Sequence, residues 1–137
     1  MPRLYKVIFW IGYFSVFAVT FIKLKFSFGK IQLGHESFQM KTDYLLHFAV
    51  YLLICLYFLF GQLAGFSLFK EHSFRKFVVL IVFLASITEV VQVWVPARSF
   101  NEFDWISNLT GFLTGILIIH IRDRLSRRLP GSNKVLN

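Results

Sequence analysis

The sequence predicts an all-α polytopic membrane protein, a four-transmembrane-helix bundle with both termini cytoplasmic. Three observations lead there. The chain is 56% hydrophobic, 19% aromatic and 16% charged, with a mean hydropathy of +0.62. That is more apolar surface than a soluble domain of 137 residues can bury. Four apolar segments each approach the ~20 residues that cross a hydrocarbon core of ~30 Å. Lysine and arginine then divide unequally between the two sides these segments define.

The first segment runs from about Leu4 to Leu24. Arg3 and Lys6 precede its apolar run as in a signal peptide, but the run is long and lacks a small-x-small cleavage site, which reads as a retained anchor. A loop from Lys25 to Thr42 follows. Phe26, Phe28, Ile31 and Leu33 alternate partially around Gly29 and Gly34, which fits either a short hairpin or a segment lying on the membrane surface. The second segment spans about Tyr44 to Phe66 and the third about Phe77 to Val95, where Pro96 ends the helix. The fourth, about Trp105 to Ile121, is the shortest and leans on aromatic residues and Arg122 at the interfaces. No repeat or linker divides the chain, so residues 1–137 read as a single domain.

With four spans, both termini share a side with the loop between the second and third segments. That side carries ten basic residues, from Arg3 and Lys6 to Arg128 and Lys134, against Glu71 and Asp123. The opposite side carries five, Lys23, Lys25, Lys30, Lys41 and Arg98, balanced by five acids. The ten-to-five split makes the termini cytoplasmic. The net charge of +8 belongs beside apolar segments, which favours phospholipid over nucleic acid, so no nucleic-acid partner is expected. Cys55 alone, in mid-segment, excludes a disulfide framework or a thiolate metal cluster.

Polar residues inside the apolar segments mark a site. An ionisable side chain in a membrane span is costly and usually has a task. Asp43 and His47 lie four apart near the outer end of the second segment, and Tyr51 continues their face. Glu89 and Gln92 lie near the outer end of the third, Arg98 in the short outer loop, and Asp104 and Asn108 in the first turns of the fourth. Asp104 suits the partial positive charge of that helix N-terminus. Three helices thus bring polar faces to one depth. On the fourth, Ser107, Gly111 and Gly115 form a small-xxx-small stripe for close packing against a neighbouring helix or, alternatively, a second copy in a homodimer.

The order Asp43-x-x-x-His47-Phe48-x-x-Tyr51, Glu89-x-x-Gln92-x-x-x-Pro96-x-Arg98 and Asp104-x-x-x-Asn108-x-x-Gly111-x-x-x-Gly115 resembles the VanZ-like family of small bacterial membrane proteins. The resemblance covers the second to fourth segments. It departs at Tyr44, where the family commonly has lysine. It implies a multi-pass protein of the bacterial cytoplasmic (inner) membrane, related to proteins linked to teicoplanin-type glycopeptide resistance. It supplies no mechanism.

The residues themselves support two function classes. Arg98 offers a planar fork to a phosphate or carboxylate at head-group level. With Asp43, Tyr51, Gln92 and Asn108 it makes a binding site for an anionic cell-envelope lipid, such as a polyprenyl-phosphate-linked precursor. His47 with Glu89 and Asp104 makes a candidate catalytic acid–base group for hydrolysis or transfer on such a lipid. Ser99 is the nearest loop hydroxyl and nothing activates it, which weighs toward binding. One histidine among carboxylates is poorly diagnostic of a metal, so neither metal nor cofactor is expected. A purely structural network, fixing the register of the bundle, is the remaining alternative.

Overall fold

The computed structural model describes residues 1–19, 31–32, 39–40, 42–94 and 100–128, without the side chains of 31, 32, 39, 40, 42 and 43. Four helices dominate: α1 (Pro2–Val19), α2 (Thr42–Leu63), α3 (Ser73–Gln92) and α4 (Glu102–Arg128). A two-residue antiparallel pair, β1 (Ile31–Gln32) with β2 (Gln39–Met40), sits between α1 and α2 with Ile31 opposite Met40. That pairing agrees with the hairpin reading of the loop, most of which lies outside the described residues.

Contacts fix the helix directions. Tyr5 of α1 stacks on Tyr57 near the end of α2, with ring centroids 5.0 Å apart, and Tyr57 donates a hydrogen bond to the Tyr5 carbonyl at 3.0 Å. Phe9 meets Phe77, and the Tyr13 hydroxyl donates to the Leu80 carbonyl, so α1 and α3 run the same way. His47 meets Asn108 while Cys55 meets Phe112, so α2 and α4 run together in the other direction. Successive helices therefore alternate, and the start of α1 and the end of α4 lie at the same end of the bundle.

Helix ends depart from the apolar segments for local reasons. Hydropathy continues through Phe66, yet α2 stops at Leu63. Gly65 takes φ +72°, and the Phe66 and Gly65 amides donate to the carbonyls of Gly61 and Gln62, the double bond pattern of a Schellman cap. α3 begins at Ser73 rather than Phe77 and ends at Gln92 rather than Val95. The fourth segment is shortest by hydropathy, but α4 is the longest helix, 27 residues. Its first turn carries Glu102 and Asp104 and its last Arg127 and Arg128, each sign where the helix dipole favours it. α1 is described as far as Val19, and the expected end at Leu24 lies outside the described residues.

Among the described residues two helices, α2 over Tyr44–Leu63 and α4, are long and apolar enough to cross a membrane, where the apolar segments predict four. α1 holds Arg3 and Lys6 within only 18 residues, and α3 includes Arg75, Lys76 and Glu89.

α2 and α4 approach most closely because α4 turns glycine toward α2. A Cβ on Gly111 would meet the Phe48 carbonyl oxygen and lie 2.9 Å from its carbon, and one on Gly115 would press on Cys55. Gly111 and Gly115 thus pack against α2 within the chain. Below this contact Phe58 and Phe77 stack at 4.1 Å, and Cys55, Ile81, Leu84 and Ala85 are buried around them. The outer surface is apolar, with Leu53, Phe60, Val79, Phe83, Leu113 and Leu117 all exposed. Thr110 and Thr114 on α4 donate to the carbonyls of Ile106 and Thr110, which satisfies both hydroxyls inside the helix.

Candidate functional site

The polar cluster lies where α2, α3 and α4 converge, at the end opposite the start of α1 and the end of α4. Its centre is Asn108, only 1% exposed, one turn before the glycine contact that draws α4 against α2. The Asn108 amide nitrogen donates to Glu89 Oε1 at 3.0 Å. Its Oδ1 lies 2.9 Å from His47 Nδ1. On the other side of the imidazole, Nε2 stands 3.8 Å from Asp104 Oδ2. The order Glu89–Asn108–His47–Asp104 therefore links three helices in one line.

Glu89 and Asn108 are the buried half of that line, His47 and Asp104 the partly exposed half. Glu89 is wholly buried, whereas the side chains of Asp104 and His47 are 14% and 29% exposed. The more accessible half is thus an imidazole beside a carboxylate, held from the buried half by Asn108. A separation of 3.8 Å is too long for a hydrogen bond but close enough for an ion pair when the imidazole is protonated.

All three expected acid–base residues, His47, Glu89 and Asp104, are thus brought together with Asn108. Tyr51 is placed differently. It is buried one turn deeper, its hydroxyl 3.3 Å from Thr88 Oγ1, which in turn donates to the Ala85 carbonyl. Tyr51 ties α2 to α3 beneath the site rather than lining an open ligand surface. Gln92 is buried on α3, one turn beyond Glu89. Arg98 and the side chain of Asp43 lie outside the described residues.

A family model described as VanZ/LLP1 matches residues 8–123. The chain belongs to the VanZ/LLP1 family. The match takes in all three helices that build the cluster and most of α1. With two membrane-length apolar helices, this family assignment makes the chain a membrane protein. No curated protein and no solved structure matches it.

In this VanZ/LLP1 chain one site-supporting residue escapes a reading of the sequence. Thr88 has no charge to draw attention inside an apolar run. The available signal is its spacing: it stands four residues before Gln92 and beside Glu89, on the buried face of α3. Chemically, the assembled group can accept and hold a proton, orient a donor, and present one carboxylate and one imidazole at the rim.

Proposed function

We propose that this VanZ/LLP1-family protein spans the bacterial cytoplasmic membrane four times, with cytoplasmic termini. Its polar cluster lies in the outer leaflet and binds the head group of an anionic cell-envelope lipid, polyprenyl-phosphate-linked precursors included. By that binding it alters susceptibility to teicoplanin-type glycopeptides. Alternating helix directions and the apolar outer surface support the topology. The site reading is carried by one observation: three helices deliver Glu89, Asn108, His47 and Asp104 into a single connected line, buried in one half and partly exposed in the other.

Arg98, between α3 and α4 in sequence, supplies the fork for the phosphate. A charge-assisted pair of this kind contributes roughly 1.5–3 kcal/mol. Titrating the protein in nanodiscs with a short-chain polyprenyl phosphate tests this. Arg98→Ala is expected to weaken binding about 10- to 100-fold, while Arg124→Ala, far from the site, changes it little. Equal losses from both variants would displace the site from this end of the bundle.

A second reading, acid–base hydrolysis or transfer on the same lipid, is favoured by the histidine whose two nitrogens meet different partners. Glu89→Gln separates the two, because it keeps shape and hydrogen bonding while removing the carboxylate. Binding survives under either reading; turnover, if His47 relies on Glu89, collapses.

A further inference from the structure

α4 is longer than a membrane's hydrocarbon core is thick. Its 27 residues rise about 40 Å at ~1.5 Å each, about 10 Å more than that core. Most of the excess belongs to the last seven residues, Arg122 to Arg128, which hold four arginines and a single acid. That acid, Asp123, accepts a hydrogen bond from Arg122 Nη1 at 3.0 Å. Arg124, Arg127 and Arg128 are exposed, and no carboxylate of the described residues pairs with them. Residues 129–137 contain no aspartate or glutamate. Arg124 stands four residues before Arg128, a spacing that sets two like charges side by side on a helix, where they repel unless an anion lies between them.

Beside these charges runs an apolar stripe. Ile118, Ile121 and Leu125 are all exposed, and their spacing of three and then four aligns them on one helix face. With Arg122 and Ser126 they line a shallow groove. Three residues further the same face arrives at Arg128, with Arg124 one turn before it. From the membrane centre outward the stripe is thus apolar through three positions and then cationic, over about 15 Å of helix. A phospholipid has the same order, acyl chain first and phosphate last. A soluble anion or a nucleic acid would use the arginines and leave the stripe uncovered. We propose that the last three turns of α4 form a seat for an anionic phospholipid of the leaflet at this end of the bundle. Its chain lies along Ile118, Ile121 and Leu125, and its phosphate sits between Arg124 and Arg128. The inference rests on α4 crossing the membrane and not on the ligand of the polar cluster, which lies at the opposite end. The seat is open to the bilayer, so bulk lipid refills it and detergent empties it; lipid retained through purification belongs to the cluster.

The test is quenching of a single tryptophan by lipids with brominated acyl chains. Leu125→Trp sets the reporter on the stripe, with Trp10, Trp94 and Trp105 replaced by phenylalanine. In nanodiscs, brominated phosphatidylglycerol in unbrominated phosphatidylcholine, and the reverse mixture, together give the relative binding constant of the two lipids at that position. Phosphatidylglycerol is expected to be favoured roughly fivefold, the gain from one basic residue near an anionic surface, and less so at high salt. Leu113→Trp, exposed on the middle of α4 and away from the arginines, is expected to show no preference. Equal binding of the two lipids at Leu125→Trp would overturn the seat.

Paired substitutions separate a seat from general attraction to a basic surface. Arg124→Gln with Arg128→Gln is expected to bring the ratio at Leu125→Trp close to one. Arg3→Gln with Lys6→Gln removes the same charge from α1, which packs on α2 and α3, and is expected to leave the ratio unchanged. Equal losses from both pairs would mean attraction to the whole basic end and would overturn a phosphate site between Arg124 and Arg128. Failure of the seat is distinct from failure of the lipid site at the polar cluster. Polyprenyl-phosphate binding there would persist without the seat, and the lipid ratio at Leu125→Trp would persist without that binding.

Discussion

Gly111→Ala tests the close approach on which the whole cluster depends. A methyl group there meets the backbone of Phe48, with the carbonyl carbon at 2.9 Å and the Cα at 3.0 Å. Backbone cannot rotate aside as a side chain can, so α2 must retreat by roughly 1 Å to restore ordinary contact. Overpacking of this kind costs about 1–3 kcal/mol, and the rigid obstacle puts this site in the upper part of that range. Replacing glycine within a helix returns up to ~1 kcal/mol. The net loss is then about 1–2 kcal/mol, or about 3–10 °C in melting temperature for a chain of this size. His47 precedes Phe48, so the same retreat stretches its 2.9 Å contact with Asn108 beyond hydrogen-bonding range. Thermal melts in detergent should therefore be paired with polyprenyl-phosphate titration, and both should fall. Gly12→Ala is the control: a Cβ there meets nothing within 4 Å, and the change is expected to be neutral or mildly stabilising. If Gly111→Ala melted like Gly12→Ala and bound lipid normally, the α2–α4 contact would be wrong.

Other expectations follow from the same geometry. Asn108→Leu strips hydrogen bonds from Glu89 and His47 together and should lower stability by about 1–3 kcal/mol in a denaturation series. Tyr51→Phe and Thr88→Val, combined in a double-mutant cycle, should show coupling of about 0.6 kcal/mol, and strict additivity would dissolve their contact. Tyr51→Phe alone should leave lipid affinity nearly unchanged, because the hydroxyl lies beneath the site against Thr88. Reporter fusions at each terminus should both read cytoplasmic, and opposite readings would rule out an even number of spans.

Much of the site is legible in the sequence because membrane spans make polar residues conspicuous. His47, Glu89, Asp104 and Asn108 stand out from apolar neighbours, and helical spacing alone is enough to place each on an inward face. The glycine stripe is legible for the same reason: Gly111 and Gly115 are four apart on the face that carries Asn108. The contact between Tyr51 and Thr88, 37 residues apart in sequence, leaves no such trace. Periodicity reports a face, not the partner across it. Helix ends are read poorly because hydropathy follows membrane thickness rather than helix geometry. α4 runs on through Arg122, Arg124 and Arg128, residues that favour helix but end an apolar segment. α2 does the reverse, capped at Gly65 while its apolar pattern continues to Phe66.

Native mass spectrometry of the purified protein beside His47→Leu tests the central claim most directly, with a melt to confirm that the variant is folded. The wild type is expected to retain one anionic lipid of the cell envelope, and His47→Leu to lose it. A bare wild type, or a lipid held equally by both, would contradict a binding site at this cluster and leave its hydrogen bonds as bundle scaffolding.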